Sequence, residues 1–174
     1  MRTMAVFESK KNLFKTGVEY LKDVEQMCKQ YGVKGLVETH HMTITPSASL
    51  AHRLVNQFDP NHIGVLYDPG NMVHEGFENY RMGMELLGDY LAHVHVKNGG
   101  WEIKQEQEDG TVEWGVKWSP IEKGVVNWKQ VLTDLKSVGY DGTIGMEDFS
   151  GTYSTKEAIK HNIEWVKRLW SEIQ

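Results

Sequence analysis

The sequence holds a single cysteine, Cys28, so an internal disulfide is impossible and a thiolate zinc framework is excluded. No apolar run approaches the roughly 18 residues of a membrane-spanning helix. The stretch from Met1 to Lys10 also lacks the apolar core of a secretory leader. These absences predict a cytoplasmic protein without a membrane partner. Basic blocks are missing too. The 19 Lys and Arg residues against 24 Asp and Glu give a net charge of −5, which leaves no electrostatic footprint for a phosphate backbone and predicts no nucleic-acid partner. What is present, 40% apolar and 25% charged residues in a chain of 174, predicts one domain over residues 1–174 with a sizeable core.

Apolar spacing divides the chain into alternating elements. Leu13, Val18, Leu21, Val24, Met27 and Tyr31 predict an amphipathic helix closed by Gly32, and residues 33–40, VKGLVETH, predict a buried strand with a polar end. Ser47 is a cap for a second helix carrying Leu50, Leu54, Val55 and Phe58, stopped by Asp59-Pro60. A strand at 63–68, a helix at 77–87 with Tyr80, Met84 and Leu87 inward, and a strand at 90–97 follow. Asn127 caps a helix with Val131, Leu135 and Val138 on one face, residues 143–147 form a strand, and Ser154 to Glu157 opens a last helix by a capping-box pattern. That helix carries Ile159, Ile163, Val166 and Trp170. A further strand is predicted at Arg2 to Phe7. Strict alternation predicts a parallel sheet with helical crossovers.

Residues 98–126 break the alternation, and so long a connection tends to be functional. Within it Val112, Trp114, Val116 and Trp118 alternate with polar or small residues after Asp109-Gly110, the pattern of a β-hairpin arm. Its tryptophans either pack the arm onto the body or line a pocket.

Each strand ends in a metal-competent side chain: Glu38, Asp68, His95 and Glu147. In a parallel sheet the C-terminal ends share one edge, so these residues converge although 30, 27 and 52 positions separate them. Residues two and four before each of them share its face, and most are apolar or small. Three carboxylates and one imidazole make a hard donor set. It suits one divalent ion, Mn²⁺, Mg²⁺ or Co²⁺, with Zn²⁺ also compatible. Carboxylates crowded in this way repel unless a cation neutralises them.

The segments VKGLVETHH, GVLYDPGN, LAHVHVKN and GTIGME, with PIEKGVVNW before the last helix but one, resemble the last four strands of the xylose isomerase-like TIM-barrel superfamily. The resemblance implies a partial (β/α) TIM barrel, about the last five strands of eight, with the hairpin as an insertion. It implies Glu38, Asp68, His95 and Glu147 as metal ligands, and in the isomerase and epimerase branch it implies proton transfer by Glu38 and Glu147. The expected activity is that of a sugar or sugar-phosphate isomerase or epimerase. An ion that chelates a carbonyl and the adjacent hydroxyl acidifies the neighbouring C–H for a carboxylate to remove. His40 and Lys97, two residues beyond Glu38 and His95, and Asn71, three beyond Asp68, are the candidates for substrate binding. His74 reads as a surface residue.

Two rivals differ in class. An endonuclease-IV-like phosphodiesterase requires a histidine-rich multinuclear cluster, yet Asn71 stands where one such histidine belongs and no histidine occurs between His95 and His161. A metal-binding remnant without turnover is the other, because a complete barrel takes at least about 200 residues. Five strands cannot close a barrel, so a homodimer is expected to cover the open edges and the apolar faces of Leu36, Leu66 and Val94.

Overall fold

The computed structural model describes residues 12–173. The strand expected at Arg2 to Phe7 lies outside the described residues. Helix α1, Leu13–Tyr31, ends at Gly32, whose positive φ of 64° lets its amide reach the Cys28 carbonyl. Strand β1, Gly35–Glu38, leads to α2, Ala48–Val55, where the Ser47 side chain accepts from the Leu50 amide. Then come β2, Ile63–Tyr67, and two helices, α3, Pro69–His74, and α4, Tyr80–Leu87. A 3₁₀ turn, Gly88–Tyr90, precedes β3, Leu91–Val96. The arm is β4, Asn98–Glu106, and β5, Val112–Ser119. The described chain finishes with α5, Trp128–Ser137, β6, Ile144–Met146, and α6, Thr155–Glu172, which has the expected capping box.

The strands β1, β2, β3 and β6 form one parallel sheet in that order, and β4 with β5 forms a separate antiparallel ribbon. Val37, Val65, Tyr67, Val94 and Val96 turn to the helix layer and are buried with Leu54, Met84, Leu87, Val131 and Leu135 in one core. Leu36, Leu66, His93 and His95 are less buried and belong to the opposite, concave face. Val94 therefore does not contribute to the exposed apolar face expected for it. Its neighbours His93 and His95 occupy that side.

Close packing on the concave face uses small residues. The β2–β3 register slips between Val65 and Leu66, leaving Ala92 without a partner. Gly64 sits against it, where a Cβ would stand 2.6 Å from Ala92 Cβ. Gly145 lies opposite His95, and a Cβ there would come within 2.9 Å of both imidazoles, of His93 and of His95.

Four helical readings need correction. Helix α3 was not expected; the Asp-Pro pair that starts it supplies an N-cap and a proline at the first helical position. The helix foreseen at 77–87 begins only at Tyr80, leaving Phe77 exposed. In α6 the buried stripe is Ala158, Asn162 and Val166, while Ile159, Ile163 and Trp170 are exposed. Asn162 occupies the inward face because its amide donates to Asp148 Oδ2 at 3.3 Å, so the polar residue marks the core side. In α1, similarly, Cys28 is buried and Met27 and Tyr31 are exposed.

Candidate metal centre

Glu38 is the last residue of β1, Asp68 follows β2, His95 is the penultimate residue of β3 and Glu147 follows β6. Parallel pairing brings these ends to one point. One donor atom from each of the four residues lies within 4.8 Å of all the others. Around Nδ1 of His95 stand Glu147 Oε1 at 3.6 Å, Asp68 Oδ2 at 3.7 Å and Glu38 Oε1 at 4.0 Å.

These separations test whether the residues fit an ion. Nδ1 of His95 is buried and makes no hydrogen bond, an arrangement that costs free energy unless something else meets the lone pair. With bonds of about 2.1 Å, two ligands of one octahedral ion stand about 3 Å apart when adjacent and about 4.2 Å apart when opposite. The three gaps around Nδ1 of His95 fall between those limits, too long for hydrogen bonds and suited to a shared cation. Charge agrees. Three carboxylates and the Lys97 ammonium sum to −2, which a divalent ion balances.

Lys97, on the residue after β3, is almost wholly buried. Its Nζ lies 2.6 Å from Glu147 Oε2 and 2.9 Å from Asp68 Oδ2. Burial opposes the charge, but Asp68 and Glu147 outweigh it and hold the lysine above its ordinary pKa. The Asp68 carboxylate, against the cost of burial and with help from Glu147 and Glu38, likewise raises the His95 imidazole. Gly70 allows this proximity: a Cβ there would fall 2.3 Å from Cγ of Lys97 and 2.9 Å from its carbonyl oxygen.

Asp68 divides its two oxygens. Oδ1 caps α3 by accepting from the Asn71 amide at 2.9 Å, and Oδ2 faces the cluster. The Asn71 side chain donates from Nδ2 to Asp68 Oδ2, to Glu38 Oε1 and to the Thr39 carbonyl at 3.0 to 3.1 Å. Thr39 Oγ1 in turn accepts from the Asp68 amide at 2.8 Å. Asn71 and Lys97, read from sequence as substrate contacts, are thus placed against the carboxylates.

His40 departs from its expected place. The chain turns after β1, so alternation no longer holds, and the His40 ring bonds the His41 carbonyl at 2.7 Å and stacks on His41 at 4.3 Å. His74 is no surface residue. It is half-buried, stacks on His41 at 4.1 Å, and lies 4.5 Å from the Trp118 ring. Burial first, then the neighbouring His41, lowers its pKa to about 4.

Two supporting residues escaped sequence reading. Asn98 is buried at the root of the arm: its Oδ1 accepts from the Gly99 and Val126 amides, and its Nδ2 donates to the Ile121 and Val126 carbonyls. Trp128, also buried, donates its indole N–H to the Lys97 carbonyl at 3.2 Å. An asparagine directly after a strand that ends in lysine was the available signal. Of the arm's tryptophans, Trp101 and Trp114 are exposed and Trp118 alone reaches the centre, with its ring 5.4 Å from Lys97 Nζ. On the concave side, a cleft of about 590 Å³ is lined by Leu36, Leu66, Glu38, His95 and Glu147 and by residues of α1.

A parallel α/β sheet whose strand ends gather three carboxylates and an imidazole defines a metal-competent partial barrel. The chain belongs to the xylose isomerase-like TIM barrel family, whose profile matches residues 6–169. It is 25% identical over 136 residues to the inosose dehydratase of Geobacillus kaustophilus, covering 75% of this chain and 44% of that protein. A xylose isomerase-like TIM barrel protein from Mycobacterium smegmatis, solved in complex with magnesium, superposes with a TM-score of 0.70 at 18% identity, over 97% of this chain and 55% of that one. The D-psicose 3-epimerase of Clostridium cellulolyticum, solved with D-tagatose, gives 0.67 at 17% identity, over 96% and 60%. At such identities the structures share a fold. The chain spans about half the length of the curated relatives it matches.

Proposed function

We propose that this chain carries the metal and proton-transfer side of a divalent-metal-dependent sugar or sugar-phosphate isomerase or epimerase. The observation that supports this most is the ion-sized gap around Nδ1 of His95, with two glutamates reaching it from the outermost strands of the sheet. A divalent ion held there, Mn²⁺, Mg²⁺ or Co²⁺ by the hardness of the donors and Zn²⁺ by compatibility, would supply polarisation of a carbonyl and its neighbouring hydroxyl. Glu38, Asp68, His95 and Glu147 would hold it. Glu38 and Glu147 move the proton: one takes it from the carbon beside the carbonyl, and the other returns it to the opposite face or to the adjacent carbon. The products are an epimer or an aldose–ketose isomer. Lys97 and Asn71 keep the carboxylates oriented, and His40, on the loop after β1, is the remaining candidate for a sugar hydroxyl. A small-molecule sugar partner, and closure of the open side by a second copy of the chain, belong to the same proposal.

Likeness to inosose dehydratase favours a second outcome of the same first step. After proton removal, the hydroxyl on the next carbon takes a proton from the other glutamate and leaves as water, in place of reprotonation at carbon.

Solvent deuterium incorporation beside the carbonyl of a ketose, followed by NMR with Mn²⁺ supplied before quenching, tests the reading. Glu147→Gln, which cannot accept the proton, is expected to lower the rate by about 10²-fold or more with an unchanged circular dichroism spectrum. Exchange at the wild-type rate in that variant places the base elsewhere. Stoichiometric Mn²⁺ binding without exchange on any ketose selects the non-catalytic remnant, and a product lighter by one water selects the dehydratase.

A further inference from the structure

The Lys97 side chain is only 3% exposed, yet it brings an ammonium into the metal centre. Its root is fixed on two sides. Trp128 donates its indole N–H to the Lys97 carbonyl at 3.2 Å, and the next residue, Asn98, is held by hydrogen bonds to the Ile121, Val126 and Gly99 backbone. The stem passes over Gly70, where even a Cβ would stand 2.3 Å from Cγ of the lysine. The rings of Trp118 and Phe149 flank the ammonium at 5.4 and 5.3 Å, faces that favour a cation. These constraints fix the position of Nζ, so one positive charge is built into the site.

The carboxylates meet this ammonium as they would a second ion. Glu147 directs Oε1 toward Nδ1 of His95 at 3.6 Å and Oε2 toward Nζ of Lys97 at 2.6 Å. Its two oxygens therefore serve two separate positions, as a carboxylate does between the paired ions of a two-metal centre. Asp68 uses one oxygen for both: Oδ2 lies 3.7 Å from Nδ1 of His95 and 2.9 Å from Nζ. Glu38 instead receives the neutral Asn71 amide at 3.1 Å. Charge then limits occupancy. Three carboxylates and one ammonium sum to −2, so one divalent ion completes neutrality. A second divalent ion would leave uncompensated positive charge in a buried place, beside an ammonium that repels it.

We infer that Lys97 is a built-in second cation: its ammonium takes the place that a second divalent ion holds in a two-metal centre and thereby limits this site to one ion. The inference rests on the functional reading above and deepens it, since chelation of a sugar carbonyl and its neighbouring hydroxyl then falls to a single ion. Lys97 acts through Asp68 and Glu147 and is a positioning residue in that chemistry.

Mn²⁺ titration of the protein by isothermal calorimetry, with electron paramagnetic resonance of the bound ion, tests this without any substrate. The wild type is expected to take up one Mn²⁺ with the spectrum of an isolated ion. Lys97→Ala clears the second position and leaves three uncompensated carboxylates, so it should take up two Mn²⁺ with an exchange-coupled spectrum. Propylammonium, which replaces the missing stem and its charge, should return that variant to one ion. Lys97→Asp adds a donor and should hold the second ion about tenfold more tightly than Lys97→Ala. Two ions in the wild type overturn the inference, as does a single ion in either variant or a second ion in Lys97→Ala that propylammonium does not displace; in each case the functional reading stands. Circular dichroism reads the fold of both variants. Folding that requires Mn²⁺ or propylammonium supports the inference, and variants that stay unfolded with both cations supplied overturn it. No Mn²⁺ uptake by the wild type overturns both readings.

Discussion

Asn71 donates from Nδ2 to Oε1 of Glu38 at 3.1 Å, so the short helix after one strand holds the terminal carboxylate of the strand beside it. The same amide reaches Asp68 Oδ2, and one side chain thereby sets the angle between two of the four ion donors. Outer residues of this kind affect affinity through orientation.

Asn71→Ala is therefore expected to weaken Mn²⁺ binding by about 10- to 100-fold while the protein stays folded. Isothermal calorimetry on wild type and variant reads this directly. An affinity within twofold of the wild type would mean that the carboxylates hold their places without the amide.

The root of the arm gives a stability prediction. All four hydrogen-bonding positions of the Asn98 amide are used, and a Cβ on Gly124 would fall inside it, 1.9 Å from Oδ1. Asn98→Ala leaves buried backbone groups of Ile121 and Val126 without partners and is expected to cost about 3 kcal/mol in urea unfolding. A loss near zero would show that the loop reorganises around the missing side chain.

Acidity should act in two separate windows. His74, with its pKa lowered to about 4, and His41 and His93, lowered chiefly by burial, resist protonation when folded. The unfolded chain binds those protons near the ordinary value of 6.5. The contribution of His74 is full above pH 6.5 and is lost as the pH falls from there toward 4, and those of His41 and His93 decline in the same direction below pH 6.5. Glu25, held low by Lys29 and by the Asp59 amide, gives up its contribution only below the ordinary glutamate value. His95, raised by Asp68, acts in the opposite sense, but three lowered histidines outnumber it, so the urea midpoint should decline between pH 7 and pH 5, and His74→Gln should flatten that decline. A midpoint constant across this range in the wild type contradicts the assignment.

Much of this site was legible because metal chemistry at strand ends is written in single residues. Glu38, Asp68, His95 and Glu147 each close a short apolar segment, and a parallel sheet needs no further information to bring them together. The arm was legible from its alternation and its Asp109-Gly110 turn. Other features lay beyond pattern. Once β1 ends, side-chain direction follows the turn, so His40 swings onto His41 and away from the cluster. Asn162 conceals the inward stripe of α6 because a hydrogen bond, and not apolarity, places it there. Helix α3 was obscured because Asp68 serves as cap and cluster member at once, and only the second role was read.

Gly70 narrows the ways in which this protein can change. A side chain at that position would occupy the volume of the Lys97 stem and carbonyl, pushing the ammonium from both carboxylates in a single substitution. Asp68, Pro69, Gly70 and Asn71 therefore vary as a unit or not at all: cap, helix start, clearance and carboxylate clamp share one turn of chain. The ribbon beyond Gly99 carries no such restriction, since Trp101, Ile103 and Trp114 project into solvent. An engineer seeking a new substrate preference has room in the ribbon and none in the turn.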